Sequence, residues 1–148
     1  MGVTFKPNTD DMRDAPSLTV VPALVGGGAK VRVLDPQGRR EGETLLPGVV
    51  WQDDLYQAVQ NADLVVFLTE WNEFRALDLK KLAKKMASTQ MADLRNIYSP
   101  RDAKRAGFVR YDCIGRLRLA GSQAPTQPGR AETGVLGRNR LAVPRHQP

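Results

Sequence analysis

At 148 residues the chain is long enough for one domain with a proper core and too short for two. Its longest apolar run, Leu64 to Leu68, cannot span a bilayer and no signal pattern follows Met1, so a membrane role is excluded and a cytoplasmic location is expected. The formal net charge of +6 invites nucleic acid, but residues 1–116 are nearly balanced, with 17 basic and 15 acidic side chains, and no aromatic residue interleaves the five arginines beyond them for stacking.

In chain order, Gly2 to Phe5 reads as only the end of a first strand, because the loop and helix after it are complete. The expectation is a mid-sheet strand that lacks its beginning. Pro16 to Val25 reads as a helix, with proline near its start and Gly26-Gly27-Gly28 at its stop. Lys30 to Asp35 (KVRVLD) is a strand ending at an acid, and Val49 to Trp51 a shorter one. Asp53 to Asn61 begins with a good cap and keeps Leu55, Ala58 and Val59 on one helical face. Asp63 to Thr69 (DLVVFLT) is continuously apolar and β-branched, as a strand buried on both faces would be. Asp78 to Met86 is a helix with Leu79, Leu82 and Met86 inward and a cluster of lysines in solvent. Gln90 to Leu94 and Phe108 to Ile114 are less regular strands, separated by a short helix over Pro100 to Ala106. Residues 117–148 are rich in Gly, Pro, Gln and Arg, with no lysine and no apolar periodicity, and are expected to form a disordered basic tail. Arginine without lysine also suits translation from a wrong frame.

Alternating strands and helices predict an α/β fold: three layers, Rossmann-like, with a mostly parallel sheet between helices. Such sheets bind ligands beyond the carboxyl ends of their strands, so polar residues after each strand are the candidates. In FKPNTDDMRDAPS (Phe5 to Ser17), Lys6 and Arg13 flank a helix amino terminus, where charge and directed N–H groups suit a diphosphate. The alternative is an ordinary helix capped by Asp10, Asp11 or Asp14. Glu70 and Trp71 follow the buried strand, with Trp71 equally suited to the core. Arg95 follows another, where a guanidinium fork suits an anion and a salt bridge with Asp93 or a neighbouring helix is the competing role. Cys113, the single cysteine, lies in an apolar stretch that points to an inert thiol, and no metal-ligand cluster is present.

Together with GAKVRVLDP (Gly28 to Pro36), LTEWNEFRALD (Leu68 to Asp78), DLRNIYSP (Asp93 to Pro100) and IGR (Ile114 to Arg116), the Phe5–Ser17 stretch resembles the carboxy-terminal, UDP-binding domain of UDP-glucose 6-dehydrogenases, within the UDP-glucose/GDP-mannose dehydrogenase superfamily. The resemblance covers about residues 2 to 116, which gives a domain over 1–116 and a tail over 117–148. It implies NAD-dependent oxidation of UDP-glucose to UDP-glucuronate by a homo-oligomeric enzyme. It also implies that Phe5 and Lys6 border the sugar, with Lys6 assisting, that Arg95 touches the UDP-sugar, and that Arg13 reaches toward NAD. The cysteine motif that carries the family's thioester chemistry is absent, and Cys113 in YDCIGR does not match it. A GxGxxG fingerprint is absent too. The chain alone is therefore expected to be inactive and to need a partner holding the NAD-binding half. GDP-mannose and UDP-N-acetylmannosamine dehydrogenases share part of the pattern, while TEWNEFR paired with DLRNIY favours UDP-glucose. A non-catalytic, truncated product or anion-binding module is the alternative from another class.

Overall fold

In the computed structural model, which describes residues 1–115, the apolar run after Asp63 forms strand β3 (Val65–Phe67). It pairs in parallel with β4 (Gln90–Asp93), which pairs in parallel with β5 (Arg110–Cys113). A second parallel pair joins β1 (Arg32–Val33) to β2 (Val50–Trp51). The chain's first residues lie between these two sheets. Gly2 N–H donates to the Leu34 carbonyl (2.8 Å), the Met1 amine to the Val66 carbonyl (2.9 Å), and Leu68 N–H to the Met1 carbonyl (2.9 Å). The lateral order is thus β2, β1, the Met1–Gly2 segment, β3, β4, β5, with the opening segment in the mid-sheet position that the sequence predicts.

Side-chain alternation along β3 makes the three layers. Val65 and Phe67 point to one face, into a core with Phe74, Leu82, Met91 and Tyr111. Val66 and Leu68 point to the other, with Val3, Met12, Val21 and Leu46. Helices α1 (Ser17–Gly26) and α2 (Arg39–Leu45) cover the second face. Helices α3 (Leu55–Ala58), α4 (Asn72–Arg75), α5 (Leu79–Lys85) and α6 (Pro100–Ala106) cover the first. The mostly parallel, doubly covered α/β sheet is the fold that the periodicities predict.

Local chemistry explains most of the boundaries. Asp54 caps α3 by accepting Gln57 N–H (2.7 Å), and Asp78 caps α5 by accepting the Lys80 and Lys81 N–H groups (both 3.0 Å). Ser99 caps α6, Pro100 fills its first turn, and Gly107 ends it in the left-handed region at φ 99°. Two elements were not predicted. Helix α2 has few apolar residues and a glycine at its centre, and that glycine is required: a Cβ on Gly42 would come within 2.5 Å of the Trp51 ring. Helix α4 is a single turn. Two expectations are corrected. The caps foreseen for α1 from Asp10, Asp11 or Asp14 do not form: the cap position is Pro16, whose side chain has no acceptor to offer. The helix foreseen over Asp53 to Asn61 closes already at Ala58. The expected disorder of residues 117–148 lies outside the described residues.

Candidate functional site

Among the described residues five polar side chains are buried: Thr4, Ser17, Asp35, Thr69 and Asp93. Asp35, Thr69 and Asp93 stand at the carboxyl ends of their strands, and all five organise the loops there. Asp35 is the most heavily used. Its Oδ2 accepts the backbone N–H groups of Val3 (2.7 Å) and Thr4 (3.1 Å), the Thr4 hydroxyl (3.2 Å) and the Trp71 indole N–H (3.2 Å). Its Oδ1 accepts Gln37 N–H (3.0 Å) and Gly38 N–H (2.7 Å). Burial alone would raise this carboxyl's pKa, but the N–H donors of Val3, Gln37, Gly38 and Thr4 outweigh burial and hold it below the ordinary value. Trp71 is therefore a core residue, 2% exposed, whose indole fixes the start of α4.

Thr4 and Thr69 tie the opening segment to the end of β3, the Thr69 hydroxyl donating to the Thr4 carbonyl at 2.5 Å. Phe5 and Lys6 follow Thr4 and Glu70 follows Thr69, so this bond brings the two loops to the same end of the sheet. Phe5 is half-exposed and Lys6 exposed. Gly2 makes the approach possible, since a Cβ there would sit 2.7 Å from the Thr69 Cβ and its φ is +72°. From the next strand Arg95 reaches back to Glu70 as a fork: Nε donates to Oε2, and Nη2 to Oε1 at 3.0 Å. The hydrogen bond from Arg95 keeps the Glu70 carboxyl below its usual range, and Glu70 raises Arg95 further. Asp93 does not pair with the Arg95 side chain. It is fully buried and holds the turn instead, accepting the N–H groups of Arg95 (3.2 Å) and Tyr98 (2.9 Å) and the Tyr111 hydroxyl (2.9 Å). Arg95 does form a salt bridge, but with Glu70 in the loop after β3 rather than with Asp93 or a helix residue.

Around that pair lies a shallow depression of about 270 Å³ lined by Glu70, Arg75, Leu94, Arg95, Asn96 and Ile114. Arg75 and Asn96 were not singled out from sequence. Asn96 follows Arg95, adopts φ 54° and donates to the Ile114 carbonyl (3.1 Å). Its place directly after a strand was the available signal. Arg75 had none, because its helix was not foreseen. Arg13 stands apart from the depression. Its exposed guanidinium grips Asp11 in a fork (3.0 and 2.9 Å), which draws the Asp11 carboxyl down to about 2. Asp11 in turn links back to Phe5, whose N–H donates to the Asp11 carbonyl (2.9 Å). Cys113 is half-buried in β5, packed against the core and remote from Lys6 in the sheet order. Among the described residues no cluster of His, Cys, Asp or Glu could hold a metal ion, and no helix is long and apolar enough to cross a membrane.

The arrangement is a polar edge, with Arg75 and Arg95 lining the depression and the buried Asp35 and Asp93 holding the loops beside it. Residues 1–100 match the family model for the UDP-binding domain of the UDP-glucose/GDP-mannose dehydrogenase family. The chain belongs to this family. It is 48% identical over 116 residues to a UDP-glucose 6-dehydrogenase of Rhizobium meliloti, covering 78% of this chain and 26% of that protein. To one of Pseudomonas aeruginosa it is 38% identical over 129 residues, covering 83% and 28%. Among solved structures it resembles an NDP-N-acetyl-D-galactosaminuronic acid dehydrogenase from Methanosarcina mazei (TM-score 0.67, 32% identity, 78% of this chain and 23% of that one). It also resembles a UDP-glucose dehydrogenase from Pyrobaculum islandicum (TM-score 0.61, 28% identity, 75% and 23%). The chain spans about a quarter of the length of the curated relatives it matches. Membership accounts for the placement of FKPNTDDMRDAPS, LTEWNEFRALD and DLRNIYSP around one edge of the sheet: the blocks that carry the resemblance are those that build the site.

Proposed function

We propose that this chain forms the nucleotide-sugar site of a cytoplasmic, NAD-dependent dehydrogenase that oxidises UDP-glucose to UDP-glucuronate, completed by an NAD-binding half. The observation that carries this reading is the Glu70–Arg95 fork, at the same end of the sheet as Phe5 and Lys6. A guanidinium has five N–H donors, and Glu70 takes two of Arg95's. Three remain for an anionic ligand, in an orientation that Glu70 sets in advance. Phe5 gives the sugar an apolar wall, and Lys6, exposed and near Asp11, supplies a positive charge. Arg13, 87% exposed on its side chain, is assigned to the NAD side. NAD supplies the hydride acceptor when bound, while this chain's residues bind and orient the sugar nucleotide.

Calorimetric titration of UDP into the full chain tests the reading. Much of such a pocket would come from the NAD-binding half, so a Kd around 1 mM, roughly 4 kcal/mol, is expected. Arg95→Ala should remove about 1.5–3 kcal/mol and abolish detectable binding. Arg13→Ala should leave UDP affinity unchanged. Unaltered UDP binding by Arg95→Ala would refute the site. With UDP-glucose and NAD, the chain alone should form no NADH. Turnover that survives repurification and disappears in Cys113→Ala would refute the need for the NAD-binding half.

A further inference from the structure

The depression around the Glu70–Arg95 fork divides its charge unevenly. Glu70 and Arg95 are both partly buried and neutralise one another, with two donors of the guanidinium committed to the carboxylate. The fork therefore offers directed N–H groups but no net charge. Leu94, Asn96 and Ile114, which also line the depression, are uncharged. Its net charge is that of Arg75, which is exposed and makes no hydrogen bond or ion pair among the described residues.

The backbone that carries Arg75 is held from two sides. At the start of α4 the buried Trp71 donates its indole N–H to Asp35 (3.2 Å). Phe74, fully buried, donates its N–H to the Trp71 carbonyl (3.0 Å) and packs edge-on against Phe67 of β3, with ring centroids 5.7 Å apart. Its carbonyl accepts the Tyr98 hydroxyl, which comes from the loop after β4. Arg75 is the next residue, so its Cα is fixed at the rim while its side chain stays unbonded. Its charge also reaches the fork. The hydrogen bond from Arg95 is the largest influence lowering the Glu70 carboxyl, and the charge of Arg75 adds to it.

Resting on the reading of this edge as a nucleotide-sugar site, we propose that Arg75 is a second anion-binding residue of it. Arg75 supplies the net positive charge that attracts the ligand's diphosphate, and Arg95 supplies the direction. A diphosphate approaching the fork alone would be repelled by Glu70 about as much as it is attracted by Arg95. Arg75 tips that balance toward the anion, and its free donors can close on the phosphate oxygens without breaking any bond of the folded chain.

The test is UDP titration of the full chain and its Arg75→Gln, Arg75→Lys and Arg95→Ala variants, followed by amide NMR shifts at Glu70, Arg95 and Asn96. Arg75→Gln should weaken UDP binding about tenfold, with the dispersed spectrum and the urea midpoint unchanged. Arg75→Lys keeps the charge and should stay within about threefold of the unaltered chain. Raising sodium chloride from about 0.05 to 0.5 M should weaken binding to the unaltered chain several-fold more than binding to Arg75→Gln, because salt screens a net charge. A purely structural role for Arg75 would give no such difference. Binding that Arg95→Ala abolishes and Arg75→Gln leaves at full strength would overturn the role of Arg75 alone. So would equal salt dependence in the two chains, or Arg75→Lys no tighter than Arg75→Gln. UDP binding unaltered in Arg95→Ala, or no binding by the unaltered chain, would overturn the site and this inference with it.

Discussion

At the carboxyl ends of the strands, buried carboxylates gather the loop N–H groups: Asp35 accepts from Val3, Thr4, Gln37 and Gly38, and Asp93 from Arg95 and Tyr98. At the amino ends of β1 and β3 a groove lies open between apolar walls. One end therefore holds cations such as Arg95 on a frame of buried carboxylates, while the other has no such frame among the described residues. A ligand site needs loops fixed before the ligand arrives, and the polar end meets that condition.

Removing the frame at the polar end should have the largest effect. Asp35→Ala leaves several buried donors without an acceptor, and a loss of about 3–5 kcal/mol in urea unfolding is expected. A loss below about 1 kcal/mol would mean that the loops hold themselves. The pH dependence follows from the same carboxyl. Its folded pKa lies below the ordinary 3.8, so its contribution is fully present above that value and is lost as pH falls through the folded one. Urea midpoints measured as pH is lowered from 5 should therefore fall less steeply in Asp35→Asn than in the unaltered chain.

Tyr98→Phe tests a smaller part of the frame. The Tyr98 hydroxyl donates to the Phe74 carbonyl, and burial pushes its pKa well above the usual value. Losing that donor strands the carbonyl beneath the Arg75 turn, so destabilisation of about 1–2 kcal/mol in the same urea measurement is expected. Arg13→Ala should do least. Its pair with Asp11 is open to solvent, so the unfolding midpoint should not move, and NMR should show the Asp11 carboxyl returning from about 2 toward 3.8.

These positions differ in how far the sequence announces them. The apolar run at Val65–Phe67 and the alternation of KVRVLD determine their strands because burial on one or both faces leaves a period that can be read directly. Helix α2 left no such trace, since RREGETL packs through a glycine against Trp51 rather than through an apolar stripe. At the site, Lys6, Glu70 and Arg95 are legible because each follows a strand. Asp35 and Asp93 follow strands too, but their bonds reach back to Val3 and forward to Tyr111, long-range pairings that no local pattern carries. Arg75 enters the depression only through the turn that Trp71 and Phe74 bury, and that turn is a tertiary effect.

The central claim, that the polar edge rather than any other cationic surface receives the nucleotide sugar, is tested most directly by amide NMR shifts as UDP is titrated into the full chain. A spectrum with a dispersed, folded body and shifts clustered at Lys6, Glu70, Arg95 and Asn96 is the expected result. Shifts confined to the arginines of residues 117–148, with those four amides unmoved, would contradict it.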